Sequence, residues 1–301
     1  MAWTEKTLAH RDLELVLVPG IGGRLMDIRY KGASLLFQNP DLLSAEPDLE
    51  RLAELPTRAE HLNFPLWGGE KTWIAPDTNW VEGAPYPVLD SGQYEFHQKT
   101  PRAATMISAV CPLSSLQITR DITITSANNW VIRHVATNKG PEVQTVGLWS
   151  VMMTQRPACY YFNTKAGHKP VTVFGDPAGA YTCTDNIGRI TCEQPQEFKL
   201  GCHPAEGTSL CHIPLSVGNV WIYNHVNNLA NASAYAHGHV LEFYNSGHYN
   251  YGELEWHSPV CLLQPGFSFE FNLHYRVYAS DMDQAAAEIF ELMHTQSKRK
   301  Q

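Results

Sequence analysis

Charge is scarce in this chain. Asp, Glu, Lys and Arg make up 17% of its 301 residues, and bases are the rarer sign, with 22 Lys plus Arg against 30 Asp plus Glu. The only concentrated basic run is Lys298-Arg299-Lys300. A formal net charge of −8 without a basic stripe argues against a phosphate backbone as partner, so no nucleic acid is expected. Long apolar runs are also missing. Nothing approaches the roughly 18–20 residues of a membrane span, and Met1–His10 carries Glu5 and Lys6 where a secretory leader is apolar. No membrane partner is expected, and the chain reads as cytoplasmic. There is no C-x-x-C pair. Seven widely spaced cysteines, an odd number, fit reduced thiols better than a disulfide framework. A G-x-S-x-G elbow and a βαβ alternation are both lacking, which removes the common serine-hydrolase reading. The glycines of Pro19–Arg24 lead into a strand-like run where a dinucleotide loop would lead into a helix, so no cofactor is expected.

What is present is a globular composition, 44% apolar with 8 Trp, 13 Tyr and 11 Phe, enough for a sizeable core and for stacking on ring-shaped ligands. Short runs of alternating or continuous apolar character, separated by Gly, Pro and Asn, recur from Leu13–Val18 and Arg24–Tyr30 through to Phe267–Tyr278. Such punctuation predicts an all-β fold of antiparallel sheets, and its continuity predicts one domain over residues 1–301. Two exceptions stand out. The leucine spacing over about 41–60 predicts a short helical insertion, and Met282–Ser297 predicts a C-terminal helix. The stretch Leu62–Pro87, dense in Trp, Pro and Gly, is expected to be neither regular helix nor central strand.

Two constellations carry candidate chemistry. In Gly68-Gly69-Glu70-Lys71-Thr72-Trp73, preceded by Trp67, glycines admit close backbone approach, Lys71 is a donor and indoles stack on sugar faces. The bland alternative is that the tryptophans plug one end of a sandwich. In Tyr251–Pro259, strand periodicity puts Glu253, Glu255 and His257 on one face and Leu254 and Trp256 on the other, which fits either a wet cleft or a plain solvated face. No metal site is expected. His237-Gly238-His239 places two imidazoles on one strand face without a third ligand at a recognisable spacing, and the Cys202-His203 and Cys211-His212 pairs match no common zinc module.

Several of these pieces, taken in order, resemble the galactose-mutarotase-like proteins, and within them the uncharacterised DUF4380-type family. The resemblance runs from Val18-Pro19 through Gly22-Gly23-Arg24 to Leu35-Leu36-Phe37, then Gly68-Gly69 to Trp73 and Pro76. It continues with Ile118-Thr119-Arg120, Thr137–Gly140, Glu253-Leu254-Glu255 and Pro265-Gly266. It implies a β-supersandwich that holds a carbohydrate and, in the enzymes, a carboxylate base paired with a histidine acid for aldose 1-epimerase chemistry. Carried over by position, Glu255 resembles the base, with Glu253 as its alternate, and Arg120 resembles the arginine on the sugar hydroxyls. Trp67, Glu70, Trp73 and His225 join as candidate substrate contacts. One departure is plain: Leu148–Met153 has no histidine where those enzymes keep their acid. Lys71, His225 or His257 then supplies the proton, or the protein binds carbohydrate without turnover. A polysaccharide hydrolase or lyase would need a second carboxylate or a Tyr/His pair facing Glu255.

Overall fold

The computed structural model describes residues 3–43, 64–215, 218–280, 286 and 288–291. Among them, eleven strands form one antiparallel sheet and ten form a second. The middle of the first sheet runs, in spatial order, Arg24–Tyr30, Glu70–Ala75, Gln144–Gln155, Tyr251–His257, Leu241–Asn245 and Phe198–Cys202. The second centres on Leu116–Ser126, Asn129–Asn138, Ser268–Ser280, Gly218–Val226 and Thr208–Leu215.

Alternation along these strands decides what lies between the sheets. Leu148 and Met152 of the first sheet join Leu254 and Trp256 against Ile118, Ile132 and Ile222 of the second, all buried in one apolar cluster. Each such side chain contributes about 1.5–3 kcal/mol on leaving water. The intervening residues of the first sheet, Trp149, Val151 and Met153 with Trp73, Tyr244 and Tyr251, form a separate cluster on the face turned away from the second sheet. That outer face is where the chemistry gathers.

The expected all-β architecture is present, and all seven cysteines are free thiols. One expectation is corrected. Glu70–Ala75 is a strand in the middle of the sheet, because the Trp, Pro and Gly that punctuate Leu62–Pro87 flank this six-residue run without interrupting it. Gly68 (φ 100°) and Gly69 (φ 74°) turn the chain into it. A Cβ on Gly68 would lie 2.2 Å from the Phe37 carbonyl oxygen, and one on Gly69 would lie 2.7 Å from that of Leu25, so these glycines admit neighbouring backbone. Of the helical insertion, Pro40–Leu43 forms one turn, and the rest lies outside the described residues. Of the C-terminal helix, Ala286 and residues 288–291 are helical, and Ile289 and Phe290 pack on Trp221 and Leu210. Among the described residues no helix is long and apolar enough to cross a membrane.

Candidate functional site

Strand register builds the site. Lys71 pairs with Val151, Val151 with Glu255, and Glu255 with Glu242, so these four form one row across four adjacent strands. Trp73, Trp149 and His257 form the next row. Because side chains on directly opposed residues share a face, both rows project on the outer side of the sheet. Lys71 and Glu255 stand two strand spacings apart, roughly 10 Å, on either side of Val151.

Glu255 is fully buried and held from one side only. Its Oε2 accepts from Trp149 Nε1 at 2.8 Å and from Lys199 Nζ at 2.8 Å. Its Oε1 has no hydrogen-bond partner among the described residues. Lys199 also reaches Glu242 Oε2 at 2.9 Å and lies 4.6 Å from the Trp149 ring centroid. Burial works against the Lys199 ammonium, but the two carboxylates outweigh it and raise its pKa above the ordinary lysine range.

Glu242 is the hub of a second group. His237 Nδ1 and His239 Nδ1 approach its Oε1 at 3.1 and 3.3 Å, and His257 Nε2 approaches its Oε2 at 3.2 Å. Burial pushes the Glu242 pKa up, yet Lys199 and His257 hold it well below the usual carboxylate range. Burial pulls the His237 imidazole down, and the carboxylates of Asp77 and Glu242 on either side carry it instead to about 9. His257 is wholly buried, and burial lowers its pKa against the pull of Glu242. In the same row, burial likewise draws the Lys71 ammonium down to about 8, against the attraction of Glu253.

Aromatic rings frame these groups. Lys71 Nζ sits 3.5 Å from the Trp73 ring centroid. Trp73 meets Trp149 edge-on at 5.0 Å, Trp80 stacks on Trp149 at 5.8 Å, and His257 stacks on the same indole at 4.9 Å. Partial exposure of Lys199, His237, His239 and Asp77 marks where this buried cluster meets solvent.

Of the residues expected from sequence, Glu253, Glu255, His257, Lys71 and Trp73 share this face. Four others do not. Glu70 and Arg120 are fully buried between the sheets and bond to each other, because strand alternation turns Glu70 away from Lys71. Trp67 packs edge-on against Trp3 at 5.3 Å and donates to Ser91 Oγ at 2.9 Å, plugging a separate apolar cluster. His225 belongs to the second sheet, opposite His274, where it lines a cavity of about 730 Å³ with Tyr223 and Arg276. Trp149, Lys199, Glu242, His237 and Asp77 were missed as members of the site. The stretch without histidine contributes an indole N–H in its place, and His237-Gly238-His239 is a turn with Gly238 at φ 70°, not a strand.

Solved structures share this architecture. A Synechocystis sp. PCC 6803 protein, Slr1438, matches with a TM-score of 0.58 at 13% identity, covering 92% of this chain and 96% of its own. A galactose mutarotase-like protein from Lactobacillus casei matches at 0.58 and 10% identity, over 91% of this chain and all (100%) of that one. The fold is galactose mutarotase-like. A galactose mutarotase related enzyme from Lactobacillus acidophilus, at 0.56 and 9% identity, covers 94% of this chain and 99% of its own. At these identities the likeness concerns the fold. No family model matches the chain, and no curated protein matches it.

Proposed function

We propose that the outer face of the first sheet binds an aldose and interconverts its anomers, with Glu255 as base and Lys71 as acid. The observation that carries this reading is the one-sided hold on Glu255. Trp149 and Lys199 fix Oε2 while the buried Oε1 has no hydrogen-bond partner among the described residues, and Lys71 stands across Val151 in the same row. A pyranose lying over Val151 would present its anomeric hydroxyl to Oε1 and its ring oxygen to the Lys71 ammonium. Glu255 takes the hydroxyl proton as the C1–O5 bond breaks, and Lys71 gives a proton to O5. The open aldehyde turns about C1–C2 and recloses by the reverse transfers. Trp80, the partly exposed ring of the group, offers apolar surface for the sugar's C–H groups, backed by the buried Trp73 and Trp149.

The likeness to mutarotase-like folds supports the substrate class, and an oxygen left without a hydrogen-bond partner supports a base over a purely structural carboxylate. The experiment is NMR magnetisation transfer between the α and β anomeric protons over a panel of aldoses. Accelerated exchange that falls about 10²–10⁴-fold in Glu255→Gln supports the assignment. Saturable binding without exchange would make the protein a non-catalytic carbohydrate binder.

A further inference from the structure

The group around Glu242 is one that the proton transfers proposed for Glu255 and Lys71 do not use. Three imidazoles converge on one carboxylate, two at Oε1 and one at Oε2, and the ligand atoms of His237, Glu242 and His257 all lie within 4.8 Å of one another. Imidazole and carboxylate donors about 2.0–2.2 Å from a divalent ion stand roughly 3–3.5 Å apart in a tetrahedral shell, and the three imidazole-to-carboxylate separations here, 3.1, 3.3 and 3.2 Å, fall in that range. The positive φ of Gly238, 70°, lets the turn present His237 and His239 to the same oxygen. Gly201 leaves the neighbouring strand bare beneath His239, since a Cβ there would lie 2.3 Å from His239 Nδ1.

A second feature is independent of that convergence. His237 turns Nδ1 toward Glu242 and Nε2 toward Asp77 Oδ1, 3.4 Å away. An imidazole with one nitrogen toward the centre and the other against a carboxylate is the arrangement that orients a metal-ligating histidine and raises its basicity. The ammonium of Lys199, now on Glu242, also bonds Glu255, so an incoming cation leaves it a partner.

We propose that His237, His239, Glu242 and His257 bind one divalent first-row transition-metal ion, with Asp77 orienting His237. Imidazole with carboxylate suits zinc, iron or cobalt better than magnesium or calcium, which favour all-oxygen shells. The pattern escaped sequence reasoning because the third and fourth donors follow His239 at Glu242 and His257, on two paired strands, and only the register brings them together. The site does not depend on sugar isomerisation, and its test involves no turnover.

The test titrates the chelator-stripped full-length chain with Zn²⁺ by calorimetry and with Co²⁺ by visible absorption. One equivalent of each is expected to bind, with a cobalt spectrum of low coordination number. Affinity is expected to fall at least about 100-fold in Glu242→Gln and in His239→Ala, and to stay unchanged in His225→Gln on the second sheet. His239 is partly exposed, so its variant serves even where Glu242→Gln fails to fold. Absence of saturable binding in the stripped wild type overturns the proposal and leaves the cluster a hydrogen-bonded network. Unchanged affinity in His239→Ala overturns it equally.

Discussion

The indole N–H of Trp149 donates to Oε2 of Glu255 at 2.8 Å, from the Leu148–Met153 stretch that contains no histidine. This bond, with that from Lys199, commits Oε2 of Glu255 and leaves the buried Oε1 without a hydrogen-bond partner among the described residues. Trp149→Phe keeps an aromatic ring, though a smaller one, and removes the donor. A hydrogen bond to a charged group is worth about 1.5–3 kcal/mol, so anomer exchange is expected to drop roughly ten- to a hundredfold. Circular dichroism should be unchanged while the exchange rate falls, and an undiminished rate would remove Trp149 from the mechanism.

Arg120 and Glu70 are expected to matter for folding alone. Both are fully buried and paired, with Arg120 Nη1 also donating to the Glu70 carbonyl at 3.2 Å. Arg120→Met leaves a buried carboxylate uncompensated and is expected to cost about 3–5 kcal/mol in urea unfolding. The double variant with Glu70→Gln should recover part of that loss, because both charges are then gone. Sugar affinity in whatever folds should match the wild type.

Acid should destabilise the fold through His134. Its Nδ1 bonds Thr72 Oγ1 at 2.7 Å, and it faces Arg120 and Glu70 between the sheets. Burial first, and the Arg120 charge next, hold its pKa well below the ordinary histidine value. The unfolded chain therefore binds a proton below about pH 6.5 that the folded chain refuses. Stability from this group is complete above that pH and declines below it, by up to about 1.4 kcal/mol per pH unit. Urea midpoints measured from pH 7 to 5 should fall, and His134→Gln should flatten that fall. A parallel decline in the variant would assign it elsewhere.

Gly69→Ala tests the entry into the Glu70–Ala75 strand. The position combines φ 74° with a Cβ that would press on Leu25 backbone. A loss of about 1–3 kcal/mol is expected in chemical denaturation, and a neutral result would show that the Gly68-Gly69 turn relaxes freely.

Period-two alternation made part of this legible beforehand. Glu253, Glu255 and His257 were read onto one face because a single strand carries them, and the register confirms that shared face. Lys71 and Trp73 were singled out by residue type, although their strand was hidden by flanking Trp, Pro and Gly. Arg120 was carried over from the family resemblance and Glu70 was a candidate contact beside Lys71, and strand alternation turns both inward, where they pair between the sheets. Lys199, Glu242 and Asp77 were invisible for a different reason. Their meaning comes from neighbours more than ten residues away in sequence, such as Glu255 opposite Glu242 and His237 beside Asp77, and no local spacing encodes that.

The central claim is that the Glu255 face, and not the His225 cavity of the second sheet, receives the sugar. The direct measurement is a titration of the ¹⁵N-labelled indole resonances with an aldose that the protein binds. Trp73, Trp80 and Trp149 lie together at the Glu255 face, whereas Trp130 lines the opposite cavity. Shifts confined to Trp73, Trp80 and Trp149, and abolished in Glu255→Gln, are predicted. Shifts confined to Trp130, with the other three unmoved, would contradict the account.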